Sequence, residues 1–183
     1  MDRRDFIKSA TGIITSVAFP NIVLAKDKGK YERSLNLFNP NTHESVNTVY
    51  FANGKYVFDG LVELDYLFRD FRDEETVAID VTLYELIYVL QLYSDKKYAL
   101  SIGSGFRTKK TNKLLKEVYN YKVSDNSYHL VAKAGDLSVH PKSKVSLYQL
   151  KEKALKIGIG GVGYYPKLRS LHIDTGKIRS WRS

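Results

Sequence analysis

Two histidines and an aspartate restrict this chain more than anything else in it: His129, Asp136 and His172. Imidazole nitrogen and carboxylate oxygen are zinc donors at roughly 2.0–2.2 Å, and zinc sites that do chemistry keep three protein ligands and leave one position for water. Read as three ligands of one zinc ion, these residues exclude the simplest local fold. Seven residues of helix advance about 10 Å at 1.5 Å per residue. His129 and Asp136 on one helix would therefore share a face without sharing an ion. A loop that doubles back into a strand can bring them together, and His172 must then come from a second strand. A single histidine is more often a satisfied imidazole than a ligand. Here two of only four histidines fall in the two short segments least like ordinary core. His43 sits in the turn-rich run Asn39-Pro40-Asn41-Thr42 and reads as a surface loop residue. His140, four positions beyond Asp136, is not expected to be a ligand.

The neighbouring residues carry a resemblance. Ser104-Gly105-Phe106-Arg107 is followed by Asn112. Ser127-Tyr128-His129 precedes Asp136. Gly160-Gly161-Val162-Gly163-Tyr164-Tyr165-Pro166 leads to His172-Ile173-Asp174-Thr175-Gly176. In this order they resemble the M15 group of zinc peptidases (D-Ala-D-Ala carboxypeptidase-like), within it the DUF882 branch of murein endopeptidases. The resemblance implies an α+β fold, a small mixed or antiparallel sheet flanked by helices, over residues 35–183. It also implies one Zn2+ per chain, a peptidoglycan peptide as substrate, and an Arg107 that faces it. A guanidinium can grip a peptide carboxylate through two parallel hydrogen bonds or polarise a carbonyl. Two positions depart from the family's pattern. The glycine usual three residues after the ligand histidine is Ala132, and the glutamate usual three residues before the last histidine is Arg169.

That second departure leaves the general base open. Asp174 is the candidate, because period-two geometry puts it on the face of His172 with Cα atoms about 6.5–7 Å apart. The same spacing suits it to holding an imidazole in place, and then the base lies elsewhere. Ser127 is a candidate for binding substrate or orienting His129. It is no nucleophile, since no His-Asp pair stands beside it in sequence.

The first 25 residues read as an export signal. Asp2-Arg3-Arg4-Asp5-Phe6-Ile7-Lys8 is charged, residues 9–24 are mostly small and apolar, and Val23-Leu24-Ala25 offers a cleavage site. The arginine pair with Phe6 and Lys8 resembles a twin-arginine signal, with Asp2 in place of the usual Ser or Thr. Thr15, Ser16, Pro20 and Asn21 interrupt the apolar run, which falls short of the ~20 residues a membrane span needs. The expected location is therefore the periplasm or cell envelope, with no stable membrane span after cleavage. Residues 26–34 read as a flexible lead-in, and the remainder is long enough for one core. With no cysteine in 183 residues, disulfides cannot staple an exported domain. The formal charge of +9 suits either an anionic envelope partner or simple solvation. Nucleic acid is a poor partner for an exported chain.

Along the chain, 35–38, 46–51 and 56–58 read as strands, the last two joined by the hairpin turn Asn53-Gly54. Asp59 is expected to cap a helix, as is a capping box over Thr82-Leu83-Tyr84-Glu85. A strand at 98–102 runs into the glycine-bearing loop before Arg107 and a basic helix at 109–119. Ser146-Leu147-Tyr148-Gln149 is a second capping box, opening a helix that ends at Gly158. The glycine-rich 158–163 lacks the Lys-Ser or Lys-Thr of a phosphate-binding loop and reads as a turn with a tightly packed strand. The composite expectation is an exported zinc peptidase cutting peptidoglycan cross-links. The alternatives are a D,D- or L,D-carboxypeptidase on stem peptides and a non-catalytic murein-binding domain.

Overall fold

The computed structural model describes residues 31–119 and 123–183. The export segment 1–25 and residues 26–30 lie outside the described residues. β1 (Glu32–Asn39) and β2 (Glu44–Ala52) pair antiparallel, and β3 (Lys55–Tyr56) continues the meander. Leu35 and Leu37 alternate inward while the residues between them stay partly open, the period-two signature of a strand with one buried face. The Asn53-Gly54 turn has φ of 52° and 78°, the left-handed pair this hairpin requires. His43, also left-handed at φ 60°, is exposed in the preceding turn. β1 begins at Glu32, so residues 32–34 belong to the sheet rather than to a flexible lead-in. Arg33 on β1 is fixed there by an ion pair with Glu85.

α1 (Phe58–Leu67) lies on β2. Its cap position is Val57, with no side-chain cap bond, and Asp59 sits inside the first turn. There its charge complements the helix dipole instead of bonding an end amide. α2 (Val81–Leu92) packs on β1 and starts two residues earlier than the expected box. Asp80 accepts from Thr82 N at 3.0 Å, while Glu85 is buried against Arg33 and is unavailable for capping. β4 (Leu100–Ser104) runs parallel to β1, and α3 (Lys109–Glu117) follows, capped by Thr108. A 3-10 turn (Tyr128–Val131) leads into β5 (Ala134–Ser138).

α4 (Leu147–Ile157) has the full Ser146/Gln149 capping box and ends at left-handed Gly158. β6 (Gly161–Tyr165), β7 (Ser170–Asp174) and β8 (Arg179–Arg182) complete a mixed sheet of order β3-β2-β1-β4-β5-β7-β6-β8. This is the α+β architecture expected, with a larger sheet. Leu35, Leu37, Phe68, Leu83, Leu137 and Ile173 belong to one core cluster that also takes in residues from all three of α1, α2 and α4. No helix among the described residues is long and apolar enough to cross a membrane.

Candidate metal centre

Strand register sets the site. Ser104 pairs with Asp136, Asp136 with His172, His172 with Gly163, and Gly163 with Trp181. One row across β4, β5, β7, β6 and β8 therefore carries two of the three sequence-chosen donors on adjacent antiparallel strands. Leu171 and Ile173, which alternate with His172, are in the core.

His129 reaches the row from the 3-10 turn. Ser127 Oγ accepts from His129 N at 3.4 Å and starts the turn. Ala132 reverses the chain at φ 58°, so that Lys133 N bonds back to Tyr128 O at 3.0 Å and β5 begins. The carbonyl of His129 also accepts from Arg107 N at 3.2 Å, which joins this turn to the loop after β4.

The three side chains converge. His129 Nε2 lies 3.2 Å from His172 Nδ1 and 3.3 Å from Asp136 Oδ1, and His172 Nδ1 lies 3.0 Å from that same oxygen. Donors about 2.0–2.1 Å from one tetrahedral ion are themselves roughly 3.3 Å apart. The remaining ring nitrogens are occupied in the way a metal site needs. His129 Nδ1 is 2.6 Å from the Gly105 carbonyl, and His172 Nε2 is 2.9 Å from Asp174 Oδ2. Each outer N–H donates to a fixed oxygen, so each inner nitrogen presents its lone pair to the centre. The donor set fits a zinc ion by atom type, spacing and tautomer.

Electrostatics agree with this arrangement. Burial and then the Arg107 charge lower the His129 pKa, keeping that imidazole neutral. Burial also acts against charge on His172, but its hydrogen bonds to Asp136 and Asp174 outweigh it and raise the pKa. For Asp136, burial opposes ionisation, yet the contact with His129 and the Arg107 guanidinium hold it well below the usual carboxylate range.

Asp174 stands behind His172, on the side away from the donor cluster. It is fully buried, and its oxygens accept from Gly161 N at 3.0 Å, Gly176 N at 2.9 Å, Arg179 Nη1 at 3.0 Å and Arg179 Nη2 at 2.7 Å, besides His172. Burial would push its pKa up, but the bonds from His172 and Arg179 bring it down. A carboxylate saturated by five donors and set behind the imidazole is poorly placed to take a proton at the donor cluster. This geometry suits Asp174 to orienting His172, the second of the two roles expected for it. Gly160 allows this, since its left-handed φ of 63° and close approach to the Asp174 carbonyl leave no room for a side chain.

Arg107 points into the site but is already engaged. Its Nη2 donates to Asp136 Oδ2 at 2.6 Å and its Nε to Ser104 Oγ at 2.7 Å, and among the described residues Nη1 has no hydrogen-bond partner. Ser127 serves the turn, and its hydroxyl caps rather than contacts the donors. Arg169 is exposed at φ 51° in the turn before β7, so no carboxylate stands at the family's glutamate position. His140 stacks on Tyr98 with centroids 4.0 Å apart and bonds Lys142 N, away from the donor trio. Sequence reasoning did not anticipate Ser104, the Gly105 carbonyl, Arg179 or Trp181. The Gly103-Ser104-Gly105 run was a signal for the first two. Nothing local marked Arg179 or Trp181.

The sheet, the converging His-Asp-His donors and a match to a family model together define the class: this chain belongs to the M15 peptidases. The matching model is described as peptidoglycan L,D-endopeptidase MepK and covers residues 27–181. Among relatives, the peptidoglycan L,D-endopeptidase MepK of Escherichia coli (strain K12) is 34% identical over 149 residues, 81% of this chain and 80% of that protein. The probable peptidoglycan L,D-endopeptidase MepK of Haemophilus influenzae (strain ATCC 51907 / DSM 11121 / KW20 / Rd) is 32% identical over 176 residues, 95% of this chain and 92% of its own. No solved structure matches the chain significantly.

Proposed function

We propose that this protein is an exported zinc peptidase that hydrolyses peptide cross-links of peptidoglycan, as an L,D-endopeptidase. The observation that carries the reading is the meeting of His129 Nε2, Asp136 Oδ1 and His172 Nδ1 from three separate segments, all within 4.8 Å of one another. Family membership supplies the substrate class.

In this reading His129, Asp136 and His172 hold one Zn2+ per chain. A zinc ion bound there supplies a water with its pKa lowered toward ~7 and polarises the scissile carbonyl. The rest is done by the chain. Asp174 fixes the tautomer of His172 and the Gly105 carbonyl fixes that of His129. Arg107 neutralises Asp136 and turns its free Nη1 toward the bound peptide, where it grips a carbonyl or carboxylate oxygen. Ser127 shapes the turn that delivers His129 and offers its hydroxyl to substrate. Residues 1–25 direct the protein to the periplasm or cell envelope.

The test is a digest of cross-linked muropeptides with purified protein, with and without a chelator. Loss of dimers to monomers, abolished by the chelator and restored by zinc, is the expected result. Shortened stem peptides with intact dimers would replace the reading with a carboxypeptidase. Murein binding with every bond intact would replace it with a binding domain.

A further inference from the structure

The strand row through the donor cluster does not stop at His172. It continues to Gly163 and Trp181, and the indole lies where a Gly163 side chain would be. A Cβ at Gly163 would overlap the Trp181 ring, so the glycine is what lets the indole lean across β6 toward the site. Its ring centroid is 5.2 Å from that of His172. The indole is also anchored: Nε1 donates to Tyr165 Oη at 2.7 Å, the rings meet edge to face, and the Arg179 guanidinium lies 5.0 Å from the indole centre. Both rings remain partly open to solvent.

This pairing orients a second polar group. The Tyr165 oxygen accepts from the indole, and among the described residues nothing accepts from its O–H. A phenol donates one proton as well as accepting, so the remaining donor is free for a ligand. The two flanks of the donor cluster then differ. Arg107 gives charge on the β4 side. Trp181 and Tyr165 give an aromatic surface with one neutral donor on the β8 side. Mostly apolar surface with a few placed polar groups is the make-up of a small-molecule or peptide subsite, and a rigid aromatic with a hydrogen-bonding edge suits it.

We propose that Trp181 and Tyr165 form a substrate subsite beside the metal centre. It takes the aliphatic side chain of the amino-acyl residue next to the scissile bond on the indole, while the Tyr165 hydroxyl donates to an amide carbonyl of the same peptide. The ligand class is a peptide segment that lays aliphatic surface on the indole, because the Arg179 cation over that ring is already bound to Asp174. The subsite rests on the peptidase reading for its substrate but can be tested apart from it.

Trp181 is the sole tryptophan of the chain, so intrinsic emission reports this subsite directly. Zinc-loaded protein is titrated with a free stem peptide of the kind released by cross-link cleavage, and separately with a peptide-free glycan fragment. A saturable emission change with the peptide, and none with the glycan, is expected. Tyr165→Phe keeps the ring and removes the donor. It should weaken peptide binding and raise KM about tenfold while zinc content stays at one per chain. An unchanged KM and unchanged peptide affinity in Tyr165→Phe would overturn the proposal, as would silent emission at peptide concentrations that inhibit cleavage. Emission that answers to the glycan alone would also overturn it. If the muropeptide digest shows no cleavage but the peptide still shifts the emission, the peptidase reading fails and the subsite stands.

Discussion

At the scale of single residues, the site is held by partners that are not themselves donors. Arg179 is the clearest case. It grips both oxygens of Asp174 from a side chain that is 40% exposed, and Asp174 in turn holds His172. Partners that orient ligand imidazoles typically contribute 10–100-fold in metal affinity. Arg179→Ala is expected to weaken zinc binding by that order, read by competition with a chelator of known affinity, and Arg179→Lys should recover only part because one ammonium cannot replace a two-pronged grip. Ala132 poses a different question. Its left-handed φ of 58° is a conformation that costs an L-residue about 1–2 kcal/mol. Yet Ala132 belongs to the core cluster, and a buried methyl is worth about 0.8 kcal/mol. The two nearly cancel, given that glycine also costs chain entropy. Ala132→Gly should therefore change unfolding free energy by no more than about 1 kcal/mol, whereas Ala132→Val, β-branched and left-handed, should destabilise well beyond that in the same denaturant titration.

Among the elements, the β1–β2 hairpin is tied to the loop after α1 by one forked contact. Arg69 Nη1 and Nη2 donate to the two oxygens of Glu44 at 2.7 and 3.1 Å, and Thr42 adds a third bond at 2.6 Å. The Arg69 bond first, and then that of Thr42, hold the Glu44 pKa below its ordinary value of 4.5. A carboxyl depressed in the fold adds stability that is present above its unfolded pKa and lost as pH falls through the folded one. Glu44 is a third exposed, so the contribution is at most about 1 kcal/mol. The stability gap between wild type and Glu44→Gln should be constant from neutrality down to about pH 5 and vanish in acid below the depressed pKa. A gap that widens as pH falls would contradict this assignment.

For the whole molecule, a metal ion held by the His129, Asp136 and His172 trio would cross-link distant parts of the chain. The 3-10 turn, β5 and β7 each give one donor. A ligand that binds only the folded state stabilises it by about 2.7 kcal/mol at a hundred times its dissociation constant. For a domain of this size that corresponds to roughly 5–10 °C in Tm. Zinc-loaded protein should melt that much above chelator-treated protein, and His129→Ala should erase the difference while leaving the apo melting point nearly unchanged.

How much of this was legible beforehand varies by residue. The Asn53-Gly54 turn, the Ser146 box and the Gly158 stop were readable because their signals are local: a backbone that needs left-handed φ, or a hydroxyl three residues from an amide. The caps at Asp59 and Thr82 were misread. Glu85, the last residue of the Thr82 box, is drawn to Arg33 on a strand distant in sequence, and no local pattern records such a competitor. His129 and His172 could be chosen because the chain has only four histidines, and Asp136 because its spacing from His129 matches the family's motif. Their meeting depends on the β5–β7 register that sets Asp136 beside His172 and on a turn closed by Ala132. The sequence by itself determined which atoms were available to bind a metal, since donor chemistry resides in residue type. Only the tertiary structure decided that five donors surround the Asp174 carboxylate, and that Trp181 stands beside His172. Those facts are distances between strands far apart in the chain, and distance across a sheet is fixed by register.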